Sequence, residues 1–199
     1  MKKFELTAEF VTNVFGKKLF RIKALVAFGD VEKGELGGFI EKEDNLSHDG
    51  NAWVYGNARV SGDARVYGNA QVYGDARVSG NAQVYGNAQV YGNAWVYGNA
   101  QVYGNAWVYG NAQVSGDARV YDDADYAVVK GFGRCFRTTT FFRCKDKILR
   151  VQCGCFYGDL AQFREIVKKT HGDSKYAKEY LAIADLMELH FSDECGGEQ

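Results

Sequence analysis

Proline is missing from all 199 residues, and with it any Pro-rich linker or recognition segment. Long apolar runs are missing too: nothing approaches the roughly 18 residues that a membrane-crossing helix needs. The first residues, MKKFELTAEFV, hold two lysines but no apolar core, because Glu5 and Glu9 interrupt it, so no secretory signal is read there. Five cysteines without such a signal predict reduced thiols and a cytoplasmic setting rather than a disulfide framework. Histidine is scarce, limited to His48, His171 and His190. A net charge of −1 and the lack of any nucleic-acid motif speak against a general nucleic-acid binder.

What the chain has in abundance is glycine, tyrosine and a period. From Gly50 to Tyr121 a valine recurs at every sixth residue, Val54 through Val120, with an alanine two places before each, Ala52 through Ala118. Apolar residues at i and i+2 give the alternation of a short strand, not of a helix. Asn or Asp follows every glycine, and such pairs suit a corner where φ is positive. Each hexad therefore reads as strand and corner, too short to stand alone. Serine replaces tyrosine only at Ser61, Ser79 and Ser115, which are separated by multiples of 18 residues, with Tyr97 on the missing rung. Three hexads per coil follow, and the twelve hexads predict about four regular coils of a triangular β-solenoid, rising about 4.8 Å each.

Alanine and valine then fill a dry interior while Tyr, Ser, Trp, Gln and Arg point outward. One face carries Trp53, Tyr55, Tyr73, Tyr91, Trp107 and Tyr109, aromatic on every rung and without charge. A second carries Arg59, Arg77, Trp95 and the serine column; the third carries Arg65, Tyr67, Tyr85, Tyr103, Arg119 and Tyr121. The uncharged face is the expected association surface. Asn side chains are expected to form hydrogen-bonded ladders at the corners.

The V-Y-G-N-A-x pattern resembles the hexapeptide repeat of left-handed β-helix proteins, and that resemblance, over residues 50–121, implies the left hand and assembly as a homotrimer. Residues 1–49 read as an N-terminal cap and irregular first coil, with Phe39, Ile40 and Leu46 as core. Here Gly37, Gly38, Phe39, Ile40 and Glu41, followed by Asn45, Leu46 and Ser47, resemble the entry to the coils in a group of bacterial and phage hexapeptide-repeat proteins. Residues 50–125 form the repeat, and at Tyr126 the period ends.

Residues 126–199 read as a small α+β (ββαα) module. TTTFFRCKDKILRVQCGCFYG predicts a hairpin turning near Lys145–Lys147. Asp159 caps a helix with Leu160, Phe163 and Val167 inward and Gly172 as its stop. A second helix, capped by Asp173 or Ser174, turns Tyr176, Tyr180, Ile183, Ala184 and Met187 inward. The segments T-T-T-F-F-R, C-G-C-F and T-H-G-D resemble a C-terminal unit recurrent in phage-encoded proteins.

The chemistry is read from what these patterns offer. Hexapeptide β-helices include acyltransferases, whose histidine base sits by a loop that breaks the coils. These hexads run without an insertion, His48 fits the cap, and His171 lies in the last turn of a helix, so acyl transfer is the weaker reading. Ice binding falls because the hexads hold no threonine. Cys135, Cys144, Cys153 and Cys155 are spaced C-x8-C-x8-C-x-C, without the paired knuckles of a zinc site, so no metal or other cofactor is expected. Charge is more suggestive: residues 130–150 hold seven bases, Lys130, Arg134, Arg137, Arg143, Lys145, Lys147 and Arg150, against Asp146 alone. Arg134, Arg137, Arg143 and Lys145, with the hydroxyls of Thr138, Thr139 and Thr140 and the ring of Phe142, are the expected anion or partner site. The sequence thus predicts a non-catalytic oligomeric scaffold. Its C-terminal module would bind a host protein, a nucleotide or nucleic acid, with no membrane involved. A purely structural polymer or virion component is the remaining alternative.

Overall fold

A computed structural model describes residues 1–192. The chain divides into two compact units, Met1–Asp123 and Ala124–Gln199. The cap and the repeat thus belong to one unit, and the boundary falls where the hexads end.

In the first unit, β1 (Phe4–Thr12), β2 (Lys18–Ala24) and β3 (Leu36–Ile40) form an antiparallel entry sheet. Twelve two-residue strands follow, one per hexad. They are Trp53–Val54, Arg59–Val60, Arg65–Val66, Gln71–Val72, Arg77–Val78, Gln83–Val84, Gln89–Val90, Trp95–Val96, Gln101–Val102, Trp107–Val108, Gln113–Val114 and Arg119–Val120, labelled β4 to β15. Each pairs in parallel with the strand 18 residues on, so the coils stack as three sheets: β4-β7-β10-β13, β6-β9-β12-β15, and β5-β8-β11-β14. The last continues the entry sheet, because Phe39 and Ile40 pair with Arg59 and Val60. Leu46 bridges Val66 and Val54 pairs with Val72, so Ile40, Leu46 and Val54 make an irregular first coil. The β-solenoid has about five turns, one more than the regular hexads alone supply.

Every repeat alanine and valine is fully buried, so the small–large pairing along each strand fills the prism without polar atoms. The corners explain the glycines. At Gly86 φ is 71°, and a Cβ would come 3.0 Å from the backbone nitrogen of Gly104 one coil away, so both conformation and clearance exclude a side chain. The neighbouring asparagines form the expected ladders: Asn51, Asn69, Asn87 and Asn105 are linked at 3.1–3.2 Å, and Asn81, Asn99 and Asp117 at 3.1 Å.

The entry is held by polar groups that the repeat does not use. Asn45 is fully buried; its amide nitrogen donates to the carbonyls of Gly62 (3.0 Å) and Ala64 (2.8 Å), and its oxygen accepts from Lys42 N (2.9 Å). Lys3 Nζ donates to the carbonyls of Ala52 (2.9 Å) and Gly50 (3.3 Å) and lies over the Phe28 ring. His48 accepts from Lys3 N at 3.2 Å and stacks on Phe4, which is a capping role.

The second unit is a four-stranded antiparallel sheet, β16 (Tyr126–Phe132), β17 (Arg137–Arg143), β18 (Leu149–Cys153) and β19 (Phe156–Asp159), followed by α1 (Leu160–His171) and α2 (Lys175–His190). The expected hairpin is β17–β18; β16 and β19 flank it, giving two strands more than the ββαα reading. Asp159 caps α1, accepting from Gln162 N at 2.8 Å while Gln162 reaches back to Asp159 N, and Gly172 stops it with φ 55°. Ser174 caps α2. Leu160, Phe163 and Val167 meet Ala177, Tyr180, Ile183, Ala184 and Met187 over Phe141 and Val151. Tyr176 is exposed instead of inward: the buried stripe runs 177, 180, 184, 187, and position 176 lies one residue off it. Cys195 and the acids Asp193, Glu194 and Glu198 lie outside the described residues. Among the described residues no helix is long and apolar enough to cross a membrane.

Candidate functional site

The three solenoid faces are those expected, but they are not equivalent. Tyr67, Tyr85 and Tyr103 stack nearly parallel, with ring centroids 4.8 and 5.0 Å apart, because the coil rise repeats each ring directly over the last. On the uncharged face Tyr73, Tyr91 and Tyr109 stack at 4.9 and 5.4 Å, with Tyr55 edge-on to Tyr73 and Trp107 edge-on to Tyr91. Stacked rungs are therefore not peculiar to that face. Trp53 does not belong to its surface. The indole is 0% exposed, covered by Phe28 and Phe4 of the entry segment, so Trp53 is not on the exposed face where the sequence predicts it. Trp107 and Tyr109 are its exposed members.

The ladder hydroxyls are tied down as well. Tyr67 donates to Gln83 Oε1 at 3.0 Å and Tyr73 to Gln89 Oε1 at 2.8 Å. Burial first, and the next ring second, hold the phenols of Tyr67, Tyr73 and Tyr85 above their ordinary value of 10.0. Lys3 moves the opposite way: burial pushes its ammonium down to about 8, against the pull of Asp49. A phenol with a raised folded pKa stabilises the fold while neutral, and that contribution is lost as pH climbs above about 10. A lysine with a lowered folded pKa carries a burial penalty that is relieved between about 8 and its ordinary 10.5. The wild-type melting temperature should thus rise relative to Lys3→Met between about pH 8 and 10, and both should fall steeply above it. Thermal melts followed by circular dichroism across that range check both signs.

In the second unit the eight residues of the expected anion site do not come to one surface. Side chains alternate along β17, so Arg137, Thr139, Phe141 and Arg143 share one side and Thr138, Thr140 and Phe142 the other. Thr139, Thr140 and Phe142 are buried; Thr139 donates to Cys153 Sγ at 3.2 Å, and Phe142 stacks on Tyr157. Arg143 donates to the Phe191 carbonyl at 3.0 Å and faces Asp125 at 3.9 Å. Lys145 is exposed in the β17–β18 turn, beyond the end of β17 whose length of about 20 Å separates it from Arg137. Of the set, Arg134 and Arg137 stay together.

They line a pocket of about 370 Å³ between the sheet end and the helices. Phe156, Phe163 and Val167 make its apolar wall, and Cys135, Cys153, Cys155, His171 and Tyr180 its polar one. The register explains the grouping: Thr139 pairs with Cys153, which brings the Gly154–Cys155 turn beside Arg137, whose guanidinium lies over Gly154. Burial pushes the Tyr180 phenol up to about 12, with the Cys153 and Cys135 sulfurs adding to the shift and Arg137 opposing it. Tyr180 is therefore neutral throughout the physiological range, and its hydroxyl donates to the Phe132 carbonyl at 3.4 Å. Cys144 is buried near the far end of β17, so the four thiols read as one spacing do not converge. The C-x-C turn was the available signal for this pocket, but only strand register, which the spacing does not reveal, places it against Arg137.

Parallel two-residue strands at an 18-residue interval, an alanine–valine interior and corner ladders define a β-solenoid repeat protein. Residues 52–68, 58–72, 70–86, 82–98, 88–101, 100–116 and 112–124 match the family described as the YdcK beta solenoid repeat, which thus spans the coils from Ala52 to Ala124. No curated protein matches the chain.

Proposed function

We propose that this chain is a non-catalytic binding protein in which the solenoid is a rigid support and the C-terminal pocket takes a phosphate-bearing ligand of nucleotide size. The observation that carries this reading is the convergence of Arg134 and Arg137 on one pocket with a phenylalanine wall. Its volume of about 370 Å³ is in the range of small-ligand sites rather than of an extended nucleic-acid groove. The guanidinium groups meet phosphate oxygens, and a base or other flat apolar group rests on Phe156 and Phe163. The solenoid, assembled as a trimer through Tyr55, Tyr73, Tyr91, Trp107 and Tyr109, brings three such pockets into one assembly, which multiplies a weak contact. The two phage-like resemblances favour a role in holding back a nucleotide of the host.

Titration of the protein with nucleoside mono- and dinucleotides at two salt concentrations tests this. Binding should weaken with salt and drop at least about tenfold in Arg134→Glu/Arg137→Glu, with the melting temperature unchanged. Tyr73→Lys/Tyr91→Lys should sediment as a β-rich monomer. Nucleotide binding that survives the double arginine reversal, or a wild type that sediments as a monomer, overturns the respective half of the proposal.

A further inference from the structure

The Tyr67–Tyr85–Tyr103 ladder stops one ring short at its N-terminal end. The irregular first coil is two residues longer here: Leu46 bridges Val66 and Ser47 N donates to the Val66 carbonyl, so the position below Tyr67 belongs to Ser47 and the position below Arg65 to Asn45. The first coil is present at this corner, but its one ring, His48, stacks on Phe4 and not on Tyr67. The result is a groove of about 610 Å³ against Tyr67, rimmed by Asp44, Ser47, Asp49, Arg65 and Gln83. One face of Tyr67 is stacked on Tyr85; the other borders the groove.

The rim offers both kinds of hydrogen-bonding group. Asp44 and Asp49 accept, Arg65 donates, and Ser47 and Gln83 do either. Among the described residues Arg65 makes no ion pair, and Glu43 at the edge is engaged by Lys2 at 2.5 Å. A phosphate would meet the carboxylates, and a cationic side chain would meet Arg65. A neutral ring with many hydroxyls satisfies both, and its C–H face suits an aromatic wall.

We propose that this groove is a saccharide subsite, in which a neutral pyranose lies on Tyr67 as the missing rung of the ladder and its hydroxyls reach Asp44, Asp49, Arg65 and Gln83. The site is independent of the C-terminal pocket.

The test is saturation-transfer NMR on the full chain with a panel of neutral disaccharides: cellobiose, maltose, lactose, mannobiose and diacetylchitobiose. At least one should bind in the millimolar range, with saturation strongest on pyranose C–H protons. Tyr67→Ala should weaken it about tenfold, while Tyr67→Phe keeps the wall and stays within about twofold. Arg65→Ala, an exposed change that leaves the coil intact, should also weaken it, and Tyr103→Ala at the other end of the ladder should not. Adenosine monophosphate and argininamide should not compete. Failure of the whole panel, binding unaffected by both Tyr67→Ala and Arg65→Ala, or displacement by either competitor overturns the proposal.

Discussion

Val90→Asp should cost about 4 kcal/mol or more and leave little folded solenoid at room temperature. Val90 is 0% exposed and sits in the middle of its sheet, between Val72 and Val108, with only alanine and valine around the prism axis. No donor lies within that interior, so the carboxylate would be buried unpaired or protonated at a cost of several kcal/mol. The outside responds differently. Gln83→Glu keeps the oxygen that accepts from Tyr67, stays half exposed and should change stability by less than about 0.5 kcal/mol. Urea unfolding followed by circular dichroism separates the two; equal effects would mean that inside and outside are exchanged.

The second large effect is at Asn45. Its side chain closes three backbone hydrogen bonds at a fully buried position, two to carbonyls of the next coil and one from Lys42 N. Asn45→Ala strands all three groups, each worth about 1–3 kcal/mol when buried without a partner, so a loss of about 3–5 kcal/mol is expected. Asn45→Asp should be worse, since it sets a carboxylate oxygen against two carbonyl oxygens. Asn45→Asp milder than Asn45→Ala in the same unfolding assay would show that the two carbonyls are satisfied otherwise.

The coils were legible in the sequence because one period governs everything about them. A six-residue spacing of valine sets the strand, the serine column sets the coil length, and parallel stacking repeats each choice, so the three faces could be assigned residue by residue. Where the period fails, legibility fails with it. Trp53 occupies a surface position of the repeat, yet β1 and the Phe28 turn fold over it, a contact between segments that no spacing encodes. Lys3 is buried for the same reason: it caps carbonyls of a coil some fifty residues away. In the second unit the caps Asp159 and Gly172 were readable because capping is local, and so was the β17–β18 turn. The basic stripe does not form one surface, because alternate residues of a strand face opposite ways and Arg143 and Lys145 sit at the far end from Arg134. What the charge count held correctly was that arginines concentrate in this sheet; which two meet was decided by register.

Hydrogen–deuterium exchange of the full chain, with and without the tightest-binding nucleotide of the titration, tests the account most directly. The solenoid amides that bond between coils, from Arg59 to Tyr103, should be the slowest to exchange and should not change on addition of ligand. Protection should rise in the peptides that cover residues 133–137 and 153–156, the two turns that carry the arginine side of the pocket. Protection that appears instead along the solenoid faces, with both turns unchanged, would contradict the assignment of the solenoid as support and the C-terminal pocket as the site.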